Sequence, residues 1–174
     1  ATDYLGISGL FSNILTMLSL AELGIGSAIA FALYKPIAEE NHAKIASLMR
    51  FYAKAYRLIG ICVAVIGVAI MPFLDVIIRN PPEIKENLYF LYILYLFNTV
   101  FSYFYSYKST LLTAMQRNYI VVGYNYIITI IQSTLQCVYL LITHEFIGYL
   151  LIQVVGGVVY NIWISKKTSK DYPY

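Results

Sequence analysis

Residues 88–114 read LYFLYILYLFNTVFSYFYSYKSTLLTA, an apolar and aromatic stretch that contains one charged residue, Lys108. An α-helix needs about 20 residues to cross about 30 Å of hydrocarbon, so this stretch is long enough to span a membrane. Short hydrophilic segments separate it from four similar stretches: 5–34, 58–78, 119–142 and 146–165. The sequence therefore predicts an all-α membrane protein with a bundle of five transmembrane helices.

A further helix is predicted between the first two spans. Pro36 cannot continue a helix interior, and the segment 41–57 that follows it has apolar residues on one helical face and basic residues on the other. A basic amphipathic helix of this kind lies in the headgroup plane of a membrane. We expect one cytoplasmic interfacial amphipathic helix here, with a solvated helical loop as the alternative.

The composition agrees with a membrane protein and excludes most soluble activities. The chain is 60% hydrophobic and 12% charged, about half the charge of a typical soluble domain. Cys62 and Cys137 lie in mid-span, and His42 and His144 are isolated, so neither residue type has the spacing of a metal site. No phosphate-binding loop or catalytic motif is present. We expect no enzyme activity and no cofactor, and the sequence leaves coupling to a proton or sodium gradient open.

The basic residues indicate the orientation in the membrane. Nine Lys and Arg residues lie in alternate connections on one side, two lie on the other side, and Lys108 lies within a span. The positive-inside rule places the richer side, including the C-terminus, in the cytoplasm. Residues 1–6 would then start outside the cell without a signal peptide. We therefore expect an earlier span upstream and interpret the chain as a fragment of a longer protein.

The first span contains the acidic residue Glu22, close to Gly24 and Gly26. A carboxylate within a membrane normally faces a polar cavity or a partner. Glu22 could bind substrate, titrate during transport, or act as a buried hydrogen-bond acceptor. Gly24 and Gly26 belong to small-xxx-small pairs, which allow close helix approach or bending.

Lys108 is the second charge within a span, and Ser and Thr residues surround it. A lysine here could bind an anionic group such as a pyrophosphate, pair with Glu22, or extend to the interface. Most tyrosines of this span are expected in packing or aromatic belts. Tyr103 and Tyr107, one helical turn apart and close to Lys108, are predicted to line a cavity.

A polar stripe follows one face of the fourth predicted span. Its members are Asn125, Thr129, Gln132 and Gln136, whose spacing places them on one side of a helix. Such a stripe either hydrogen-bonds neighbouring helices or lines an aqueous path. We list all four residues as candidates for a substrate cavity.

Several segments also suggest a family. The N-terminal ones are YLG (4–6), LSLAELGIGSA (18–28) and LYKPIAE (33–39). The later ones are YRLIG (56–60), YK (107–108), QRN (116–118) and YPY (172–174). In order and spacing they resemble the bacterial lipid-linked oligosaccharide flippases of the multidrug, oligosaccharidyl-lipid and polysaccharide exporter superfamily.

That resemblance implies two six-helix lobes around a central cavity. This chain would supply helices two to six of the first lobe, whereas helix one and the second lobe would belong to the same full-length protein. The implied activity moves undecaprenyl-pyrophosphate-linked repeat units of capsule or O-antigen across the bacterial cytoplasmic membrane by alternating access. Glu22 and Lys108 match positions of the family pattern.

Three alternatives remain from the sequence. The first is a multidrug or small-solute antiporter of the same superfamily, with Glu22 as its proton-coupled carboxylate. The second is a membrane-embedded transferase that acts on lipid-linked glycans. The third is a structural membrane subunit, in which Glu22 and Lys108 would be dispensable. Nucleic-acid binding has no support, because the basic residues are placed beside the membrane.

Overall fold

The computed structural model of the protein describes residues 2–19, 25–74, 87–143 and 145–173. These residues form six α-helices and one turn of 3₁₀-helix at Met71–Phe73. The α-helices are α1 (Thr2–Ser19), α2 (Ile25–Ala38), α3 (His42–Ile70), α4 (Leu88–Ala114), α5 (Asn118–Thr143) and α6 (Phe146–Asp171). Four of them, α3 to α6, are long and apolar enough to cross a membrane. The predicted all-α membrane bundle is confirmed.

Helix α4 is the centre of the bundle and packs against each of the other five helices. Its bounds are those predicted for the third span. The side chain of Asn87 caps its first turn by accepting a hydrogen bond from the amide of Tyr89 at 2.9 Å. Three of its tyrosines, Tyr92, Tyr95 and Tyr103, are buried. Packing accounts for Tyr92 and Tyr95, as the sequence predicts for most tyrosines of this span, whereas the sequence places Tyr103 in a cavity.

Helix α3 packs on α4 through two glycines one heptad apart, Gly60 and Gly67. A Cβ atom at Gly60 would lie 3.3 Å from the Cβ of Tyr103 and 3.7 Å from the carbonyl oxygen of Val100. The hydroxyl of Tyr92 donates a 3.0 Å hydrogen bond to the carbonyl of Gly67. Small residues at such positions let two helices approach closely where no water drives their association.

The segment predicted as a separate interfacial helix belongs to α3, which continues without interruption from His42 to Ile70. The apolar face of this segment, including Ile45, Met49 and Tyr52, is buried in the bundle. An apolar stripe looks the same whether lipid headgroups or other helices cover it, and here the helices do. At about 1.5 Å per residue, the 29 residues of α3 exceed the thickness of the hydrocarbon.

The first predicted span, 5–34, is described as two shorter helices, α1 and α2, and residues 20–24 lie outside the described residues. Pro36 does not end α2, which continues to Ala38. Proline removes only one amide donor in this last turn, and its own carbonyl accepts a 2.9 Å hydrogen bond from the amide of Asn41. Pro36 is buried.

The described Lys and Arg residues all lie toward one end of the bundle, which we call the basic end. It comprises the C-terminal ends of α2, α4 and α6, the N-terminal part of α3, and the α4–α5 turn. Arg117 in that turn forms a 3.6 Å ion pair with Asp171, which also pairs with Lys167 at 3.2 Å. These contacts connect the α4–α5 turn to the end of α6.

Candidate functional site

A cleft at the basic end lies between α3, α4 and α6, with a volume of about 620 Å³. We call it the basic cleft. Its lining residues are Ala46, Met49, Arg50, Ala53, Arg57, Tyr107, Lys108, Leu111, Thr168, Ser169, Tyr172 and Pro173. Its volume lies in the range of about 300–1,000 Å³ that is usual for small-molecule sites.

Helix α3 contributes one wall of the basic cleft. Arg50 and Arg57 are seven residues apart and therefore lie on the same helical face. Ala53 lies between them on that face, and Ala46 lies one turn before Arg50. Both leave the cleft open because their side chains are short. The Nε atom of Arg50 donates to the carbonyl of Ala46 at 3.4 Å, which directs the guanidinium along the helix.

Helices α4 and α6 position Lys108 opposite these arginines. The Nζ atom of Lys108 donates hydrogen bonds of 2.8 Å to the hydroxyl oxygens of Ser165 and Ser169. An ammonium group has three donors, so these two bonds leave one N–H for a ligand. The hydroxyl of Thr168 donates to the carbonyl oxygen of Ile164 at 2.8 Å. It also lies 3.5 Å from the backbone carbonyl oxygen of Lys108.

The positive charge of the basic cleft is not neutralised by the described part of the chain. The ion pairs among the described residues are Lys35–Glu39, Arg117–Asp171 and Lys167–Asp171. None of them includes Arg50, Arg57 or Lys108, and none of the described residues that line the cleft is acidic. Three cations around one opening without a carboxylate among the described residues give this cleft a charge that favours an anion.

Helix lengths place the basic cleft at the level of lipid headgroups. A span of about 20 residues that starts at Leu88 ends near Tyr107, and one that starts at Phe146 ends near Ser165. A span of about 20 residues that ends at Leu74, directly after the 3₁₀ turn that follows α3, starts at Ala55. By this count, the lining residues lie close to the boundary between hydrocarbon and headgroups.

The structure brings some predicted site residues together and separates others. Tyr107 and Lys108 both line the basic cleft. Tyr103 does not line it: its side chain is 2% exposed and packs against Gly60 of α3. Glu22 and Gly24 lie outside the described residues. Gly26 faces α3, where a Cβ atom would lie 3.5 Å from the hydroxyl of Tyr56.

The predicted polar stripe of α5 lies away from the basic cleft. Gln136 is buried, and its Nε2 donates to the carbonyl of Tyr149 at 3.1 Å, which connects α5 to α6. Gln132 packs beside Gly156 of α6. Thr129 donates to the side-chain oxygen of Asn125 at 3.1 Å on an exposed surface. Of the two predicted roles, hydrogen bonding between helices applies to Gln136.

Sequence reasoning missed Arg50 and Arg57 as members of one site with Lys108. Both were assigned to the polar face of an interfacial helix, where each would meet lipid headgroups separately. The seven-residue spacing of two arginines, with alanine at the intervening helical turn, was the signal available. Their approach to Lys108 depends on how α3 crosses α4 and α6, which local patterns do not encode.

Comparisons of the chain with protein-family models, with curated proteins and with solved structures returned no match. Function must therefore be argued from the site itself. The described residues include no group of three or more His, Cys, Asp or Glu side chains placed to bind a metal ion. The basic cleft has the charge, hydroxyl groups and depth to bind a phosphate at a membrane surface.

Proposed function

We propose that the basic cleft binds the phosphate or pyrophosphate group of a lipid. The observation that carries this proposal is that Arg50, Arg57 and Lys108 line one opening without a carboxylate partner in the described residues. Arginine binds phosphate oxygens with a planar pair of donors, and lysine binds them as a point charge. Tyr107 and Tyr172 add aromatic surface at the same opening.

The chain forms part of a transporter that moves undecaprenyl-pyrophosphate-linked oligosaccharides across the bacterial cytoplasmic membrane. The support is the resemblance to lipid-linked oligosaccharide flippases, together with an anion site at headgroup depth. The positive-inside rule assigns the basic end to the cytoplasm, where such a lipid would be loaded. A second lobe and a further helix would complete the translocation path by alternating access.

The charge of the basic cleft favours this proposal over an antiporter for cationic drugs. A site for a cationic solute needs negative charge or aromatic faces free of competing cations. The basic cleft has the opposite sign. A lipid pyrophosphate matches both the charge of the cleft and its position at the membrane boundary.

We expect Arg57→Gln to slow transport of a fluorescent lipid-linked oligosaccharide in proteoliposomes that contain the complete transporter. Loss of one charged hydrogen bond of about 1.5 kcal/mol or more corresponds to about tenfold. Lys54→Gln is the matched control, because Lys54 is exposed on the same helix and does not line the basic cleft. Equal rates for both variants would remove Arg57 from the transport site.

A further inference from the structure

A second cleft lies at the end of the bundle opposite the basic end, among α1, α4, α5 and α6. Its volume is about 710 Å³, and we call it the neutral cleft. Its lining residues are Tyr4, Leu5, Ser8, Ser12, Tyr95, Leu140, Phe146, Tyr149 and Gln153. Tyr95 and Gln153 each lie seven residues from the start of their helices, so the neutral cleft reaches about 10 Å along them.

The chemistry of the neutral cleft differs from that of the basic cleft. None of the described residues that line it is charged, and they supply hydroxyl and amide groups. The hydroxyl of Tyr95 donates to Ser8 Oγ at 2.8 Å, and the proton of Ser8 can still be donated to a ligand. The Gln153 side chain forms no hydrogen bond with the described residues and offers both donors and acceptors.

Aromatic rings form one side of the neutral cleft. The rings of Phe146 and Tyr149 are stacked, with centroids 5.5 Å apart and planes 15° apart. The ring of Tyr4 approaches Phe146 with a centroid distance of 4.6 Å. These rings present apolar faces beside polar groups. This combination suits a sugar ring, which has both C–H faces and hydroxyl edges.

We propose that the neutral cleft binds a neutral carbohydrate headgroup, a ligand distinct from the phosphate-bearing lipid of the basic cleft. A hydrocarbon chain would leave the side-chain amide of Gln153 without a hydrogen-bond partner among the described residues, which is unfavourable in a desolvated site. An anion would find no cation among the described residues that line the neutral cleft. The neutral cleft opens at the membrane boundary, so the sugar arrives either on a lipid or from water.

Photo-crosslinking in phosphatidylcholine nanodiscs tests this proposal. The probe is dodecyl maltoside with a diazirine on the sugar, and mass spectrometry locates the labelled residues. We expect labelling to concentrate on the residues of the neutral cleft, and unlabelled dodecyl maltoside to suppress it. Dodecyl phosphate has the same chain with an anionic headgroup and should not compete. Competition by free maltose would show that the sugar binds without a lipid; no competition would show that the lipid link is required.

Two variants test the named contacts. Gln153→Leu keeps the size of the side chain but removes its amide, and Tyr149→Leu removes the stacked ring. Each should reduce labelling about fivefold, the effect of losing one or two neutral contacts. Tyr126→Leu is the control, because Tyr126 is exposed on α5 and lines neither cleft.

The proposal is overturned by labelling spread evenly over the lipid-facing surface, by equal competition from dodecyl phosphate, or by full labelling of both variants. A monodisperse elution profile for each variant excludes misfolding as the cause of a loss. Failure of this test would not count against phosphate binding in the basic cleft, because no residue of the basic cleft is changed and the probe carries no phosphate.

Discussion

The triple variant Arg50→Gln, Arg57→Gln, Lys108→Gln should lose most of its affinity for a polyprenyl pyrophosphate. Each cation can form a charge-assisted hydrogen bond of about 1.5–3 kcal/mol with a phosphate. Since about 1.4 kcal/mol corresponds to a factor of ten, the three together should lower the affinity by about 1,000-fold or more. Native mass spectrometry or binding to labelled nanodiscs measures this change.

A charge-matched control separates a specific site from general attraction to an anionic lipid. Lys44, Lys54 and Lys166 are exposed at the same end of the bundle and do not line the basic cleft. Their triple substitution by glutamine removes the same net charge, and we expect less than about a threefold loss, which salt screening reduces further. An equal loss in both triple variants would show that the basic cleft adds nothing to surface charge.

Gly60→Leu should have the largest effect on stability. A Cβ atom at this position would already lie 3.3 Å from that of Tyr103 and 3.7 Å from the backbone oxygen of Val100. A backbone atom cannot move aside as a side-chain end can, so the rest of the leucine would force α3 and α4 apart. Overpacking of this kind costs about 3 kcal/mol, which unfolding in mixed micelles can measure.

Gly123→Leu is the matched control for Gly60→Leu. Gly123 lies within α5, and a Cβ atom there would meet nothing within 4 Å of the described residues. Leucine should therefore be tolerated, and helix propensity favours it over glycine by up to about 1 kcal/mol. If both variants unfold at the same denaturant concentration, the close contact between α3 and α4 does not stabilise the bundle.

Much of the fold could be predicted, because the apolar runs are long and their ends are chemically marked. The third span matches α4 at both ends, where Asn87 caps the start and a tight turn after Ala114 ends it. The sequence predicts a boundary between the amphipathic segment 41–57 and the second span, but α3 is continuous from His42 to Ile70. Its apolar face, including Ile45 and Tyr52, is covered by other helices, and single-sequence periodicity cannot distinguish that cover from headgroups.

The site could be predicted only in part. Lys108 and Tyr107 were identified because a charge within a span is costly and is therefore informative. Their partners Arg50 and Arg57 lie more than 50 residues away in the sequence, and only the packing of α3 against α4 and α6 brings them to the same cleft. The hydrogen bond from Gln136 to the carbonyl of Tyr149 likewise depends on how two helices pack, because it connects α5 to α6.

The most direct test is phosphorus–nitrogen dipolar recoupling by solid-state NMR, with a pyrophosphate lipid bound to the isotope-labelled protein in bilayers. We predict couplings from the lipid phosphorus to the side-chain nitrogens of Arg50, Arg57 and Lys108, because each nitrogen would donate a hydrogen bond of about 2.8 Å to a phosphate oxygen. Couplings to Lys44, Lys54 or Lys166 alone, with none to the three cations of the basic cleft, would contradict the proposed phosphate site.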